Sequence, residues 1–96
     1  MASRKRFTSV WDAIEDSAAE AASMRLRAEI ATRIIETARA RKLTQSKIAS
    51  LAGVTQPRVS DLVRGRLDLF SLDALVDIAD RIGLRTRVVV TPKRAA

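Results

Sequence analysis

Residues Thr44 to Gly65 read T-Q-S-K-I-A-S-L-A-G-V-T-Q-P-R-V-S-D-L-V-R-G, and this stretch decides the fold. Its apolar and small residues fall at Ile48, Ala49, Ala52, Val54, Val59 and Leu62. Two short helices need this spacing if each is to press one face onto a shared core across a tight turn, a helix-turn-helix pattern. Ala49 is small enough to let the helices cross closely, and Gly53 supplies the left-handed conformation in which the chain leaves the first of them at least cost. Thr44 and Thr55 stand where N-caps belong, and Pro57 lies in the first turn of the second helix, where a missing N–H matters little. With Thr55 as cap, Pro57 is the second helical residue and the threonine hydroxyl must accept from the Arg58 amide. With Gln56 as the boundary, Pro57 comes first, and both registers satisfy the chain.

On the N-terminal side, residues 1–6 carry Arg4, Lys5 and Arg6. They read either as an unstructured terminus or as an arm for the minor groove. Phe7, Val10, Trp11 and Ile14 recur at helical intervals and predict a short amphipathic helix over 7–14. These four side chains are either core or dimer-interface anchors or a docking site for another protein. Ser17-Ala18-Ala19-Glu20 has the form of a capping box and predicts a second helix running without Gly or Pro to about Ala40. Its apolar stripe is Ile30, Ile34, Ile35 and Ala38, but its first turns are alanine-rich. A helix with so little to bury at its start extends past the helix-turn-helix core toward something else, whether the 7–14 helix, a second subunit or a partner.

On the C-terminal side, Gly65 to Leu69 reads as a loop. Ser71 then caps a helix with Leu72, Leu75, Val76, Ile78, Ala79 and Ile82 apolar, ending before Gly83. From Leu84 to Val90 the chain turns β-branched, with Leu84, Thr86, Val88 and Val90 on one side and Arg85, Arg87 and Val89 on the other, until Pro92 ends pairing. A single strand cannot stand alone, so its natural partner is the same strand of a second copy; the competing reading is a frayed basic tail. The expected fold is therefore all-α, with five helices and one C-terminal strand paired across a dimer. It divides into an arm and short helix (1–16), a helical domain (17–83) and a strand with basic tail (84–96).

The 96 residues make one domain and contain neither cysteine nor histidine. That excludes disulfides, thiol chemistry and the commonest metal ligands, and it fits a reducing cytoplasm without metal or cofactor. A chain this short buries only about 60–70% of its unfolded surface, so a partner subunit would help. No apolar run approaches the roughly 20 residues of a membrane span, and no apolar signal core follows the basic start. The net charge is +7, carried as +3, −3, +6, −3 and +4 by residues 1–11, 12–38, 39–66, 67–82 and 83–96. The helix-turn-helix is a basic block between two acidic ones, as expected of a face that meets phosphate. No nucleophile–base pair, metal cluster or phosphate-cradling glycine loop points to an enzyme or to a small-molecule substrate.

Leu43-Thr44-Gln45, Ala49, Gly53-Val54, Gln56, Val59-Ser60, Leu62 and Gly65 resemble the pattern L-T-Q-x-x-x-A-x-x-x-G-V-x-Q-x-x-[VI]-S-x-[LI]-x-x-G of lambda-repressor-like (Cro and xenobiotic-response-element type) regulators. Phe7 to Glu15 together with Asp68 to Leu75 further resembles the small HigA-type antitoxins that partner RelE-like toxins. The resemblance implies that the second motif helix lies in the major groove of a palindromic operator. Transferred by position, Gln56 faces bases and can pair with adenine, Pro57 can touch a thymine methyl, and Asp61 can accept from a cytosine amino group. Asp61 is equally a partner for Arg58 or Arg64 in a surface ion pair. Gln45 stands where family members hold a phosphate. Lys47, Thr55, Arg58, Ser60, Arg64 and Arg66 are further candidates, with Arg41 and Lys42 in support. As a phosphate ligand Arg58 would contribute about one counterion to the salt dependence of binding. The implied function is a dimeric repressor, with an added antitoxin role in which roughly Phe7 to Glu36 would neutralise a RelE-like ribonuclease. A stand-alone repressor and a protein-interaction module that does not bind DNA are the competing readings.

Overall fold

The computed structural model describes the backbone of residues 9–93 and side chains from Ser17 to Lys93. Four helices, α1 (Ser9–Ala40), α2 (Gln45–Ala52), α3 (Gln56–Val63) and α4 (Leu72–Arg81), are joined by short loops, with a 3₁₀ turn (Leu67–Leu69) before α4. The two expected N-terminal helices are one among the described residues, because α1 runs through Ser17 without a break. Residues 9–20 contain no Gly or Pro and include good helix formers on both sides of the serine, so the backbone ladder continues where a side-chain cap would have ended it. Phe7 and the side chains of Val10, Trp11 and Ile14 lie outside the described residues.

α1 packs along α4, and the core between them and the motif holds Ile34, Leu62, Phe70, Leu75 and Ile82 at no more than 1% exposure. A second cluster, Ala38, Ile48, Ala49 and Val59, fills the crossing of α1, α2 and α3. Residues 17–22 of α1 are all exposed, and Leu26 is half exposed, so the start of the helix projects past the core as its alanine-rich sequence implies. The first firm tie back is Arg27. Its guanidinium donates to the carbonyls of Leu67 (3.2 Å) and Phe70 (3.3 Å) and to the Ser23 hydroxyl (2.9 Å), with Glu20 at 3.5 Å.

Every helix ends in the same six-to-one backbone bond. The amides of Leu43, Val54, Arg66 and Leu84 donate to the carbonyls of Ala38, Ala49, Asp61 and Ala79 at 2.8 to 3.1 Å. This arrangement needs a left-handed residue just before the donor. At three ends that residue is a glycine, but at the end of α1 it is Lys42, at φ 55°. A side chain with a Cβ is strained there, so Lys42→Gly is expected to stabilise the domain by about 1 kcal/mol in urea unfolding. An unchanged or lower midpoint would show that the lysine side chain holds something in place.

The segment after α4 forms no strand among the described residues, and Val88, Val89 and Val90 are each more than three-quarters exposed. The β-branched sequence favours an extended chain, but among the described residues no strand is there to pair with it.

Candidate nucleic-acid interface

The Thr44 hydroxyl accepts from the Lys47 amide at 3.0 Å, and the Thr55 hydroxyl from the Arg58 amide at 3.3 Å. The second bond fixes the register left open by the sequence: Thr55 caps α3 and Pro57 is its second residue. Between the helices Gly53 takes φ 69°, ψ 32°, the left-handed step that turns the chain. Ile48, Ala49 and Val59 are buried where α2 and α3 meet, so the small Ala49 sits at the crossing as its type requires.

Burial of Val59 and Leu62 orients α3. At about 100° per residue, Pro57 and Arg64 then point directly away from the core, with Ser60 and Asp61 flanking them and Gln56 at the edge of the same face. Gln56, Pro57 and Arg64 are exposed, and Ser60 and Asp61 are half-buried. Gln45, Lys47 and Thr55 are exposed at the starts of α2 and α3, and Arg66 is exposed in the following loop. Among the described residues no ion pair involves residues 39–66; the three that form are Arg27–Glu20, Arg33–Glu36 and Arg81–Asp77. Asp61 is therefore in no ion pair with Arg58 or Arg64, and the basic charge of the motif is not neutralised by any described side chain.

A comparison with family models closes the question of kinship: the model described as a helix-turn-helix domain matches residues 13–91. The chain belongs to the helix-turn-helix domain family. No curated protein matches the sequence. Membership makes α2 and α3 the motif pair of a DNA-binding protein, and the match extends over α1, α4 and the following segment as well.

Two arginines of this helix-turn-helix domain differ from the expectation that they are free for phosphate. Arg41 donates to the Ile82 carbonyl, closing the C-terminal end of α4. Arg58 folds back, its guanidinium carbon 4.1 Å from the centre of the Phe70 ring and its NH1 donating to the Leu69 carbonyl at 2.8 Å. Sequence reading missed both contacts, and missed Arg27 altogether. A signal for Arg27 was present, since it falls in register with Ala31, Ile34 and Ala38 on the buried stripe of α1. Among the described residues no group of acidic side chains is placed to hold a metal, and no helix is long and apolar enough to cross a membrane.

Proposed function

We propose that the protein is a cytoplasmic, sequence-specific transcriptional repressor that binds a palindromic operator as a homodimer. The observation that carries this reading is the outward row of Pro57, Ser60 and Asp61 on α3 with Arg64 just past its end, set among cations that form no ion pair among the described residues. With α3 in the major groove, Gln56 pairs with adenine, Pro57 touches a thymine methyl and Asp61 accepts from cytosine. Gln45, Lys47, Thr55, Ser60, Arg64 and Arg66 hold the backbone. The dimer forms by pairing Leu84, Thr86, Val88 and Val90 with the same segment of a second copy, which covers the exposed valines.

The second activity in this proposal is that of a HigA-type antitoxin. Phe7, Val10, Trp11 and Ile14, which precede the described side chains, dock a RelE-like toxin, and the exposure of residues 17–22 next to them favours it. Two measurements test the proposal. Fluorescence anisotropy of the full chain on duplex from its own upstream region is expected to give tight, salt-sensitive binding that an unrelated duplex does not match. Equal affinity for both duplexes would reduce the protein to a non-specific cation. Co-purification with the product of the neighbouring gene separates antitoxin from stand-alone repressor.

A further inference from the structure

Resting on the DNA-binding reading above, we infer that Arg58 is a positioning residue: it fixes the loop that carries Arg64 and Arg66, and it does not itself hold a phosphate. The loop between α3 and the 3₁₀ turn is closed by backbone bonds, from the amides of Arg64, Gly65 and Arg66 to the carbonyls of Ser60, Leu62 and Asp61, and among the described residues no side chain bonds to the loop itself. Arg64, Gly65 and Arg66 are all exposed, nothing lies within 4 Å of the place a Cβ on Gly65 would take, and the turn has no side-chain cap. Arg58, in the first turn of α3, reaches past this loop to the Leu69 carbonyl 11 residues ahead, with its guanidinium carbon over the Phe70 ring.

The floor of that contact is rigid. Phe70 is 1% exposed in the core, and the same turn is also held by Arg27 through the carbonyls of Leu67 and Phe70. A guanidinium that both stacks on a ring and donates to a carbonyl is held in one orientation, which a phosphate would have to break on both counts. Arg64 and Arg66 have no such internal partners among the described hydrogen bonds and ion pairs. The division of labour is that Arg58 shapes the loop while Arg64 and Arg66 meet the DNA backbone.

The test is the affinity of the full chain for one operator duplex over a salt series, for the parent, Arg66→Gln, Arg58→Met and Arg58→Lys, at a temperature where circular dichroism shows equal helix content. Arg66→Gln is expected to reduce the slope of log affinity against log salt by about 0.9, the signature of one lost phosphate contact. Arg58→Met is expected to weaken binding about tenfold with the parental slope, since only preorganisation is lost. Arg58→Lys is expected to bind no better than Arg58→Met, because an ammonium lacks the planar fork that stacks and donates together. A slope reduced by about 0.9 in Arg58→Met, parental affinity in that variant, or full rescue by Arg58→Lys would each overturn the inference. A parent chain that binds no duplex at any salt overturns the DNA-binding reading itself, and shows it before any variant is made.

Discussion

Phe70→Ala is expected to cost the domain about 3–5 kcal/mol, the range for emptying a fully enclosed aromatic site. Among the described residues Phe70 is the largest fully buried side chain, packed in one cluster with Ile34, Leu62, Leu75 and Ile82. A chain of 96 residues has about 5–14 kcal/mol of stability in total, so this single change removes a large part of it. The loss is compounded on one side, since the ring is the surface on which Arg58 lies, whereas the main-chain carbonyl of residue 70 that Arg27 bonds is kept in the variant. Urea unfolding followed by circular dichroism measures the effect, and the thermal midpoint should fall by at least about 12 °C. A loss below about 2 kcal/mol would mean that the core closes without the ring and that Arg58 does not depend on it.

Gln56→Ala is expected to leave stability almost unchanged and to weaken operator binding by about 1–3 kcal/mol, or roughly five- to 150-fold. The side chain is exposed at the first position of α3 and takes no part in the cap, which the Thr55 hydroxyl and the Arg58 amide make. Its loss therefore removes nothing inside the protein, so a fall in affinity would report a contact to DNA. Because an amide reads adenine by two hydrogen bonds, the loss should be confined to one base pair per half-site, where the variant should accept other bases. Binding reduced evenly over all sequences would place Gln56 on the backbone instead.

What could be read from the sequence was what is settled within a few residues. Thr44, Gly53, Thr55 and Pro57 each act on their own turn of chain, and the small-residue spacing of Ile48, Ala49 and Val59 is local to the pair it packs. The Ser17 to Glu20 box misled for the same reason. Its side chains match a cap wherever they stand, and only the state of the preceding residues, helical from Ser9, decides whether a helix starts there. The contacts of Arg27 and Arg58 were out of reach in another way. Their acceptors are backbone carbonyls 11 to 43 residues away, which any residue type supplies equally and which no pattern marks. The valine run was legible as extended chain but not as a strand, because a ladder is a property of two segments and the described residues hold only one.

The most direct test is to incubate the full chain with a random duplex library and sequence what it retains. If α3 reads the major groove as a symmetric pair, the retained DNA will share one motif of two inverted half-sites, their centres about one helical turn (~34 Å) apart, and Gln56→Ala will lose its preference at a single position in each. Retained DNA with no shared motif, from a folded protein that still binds duplex, would contradict that claim.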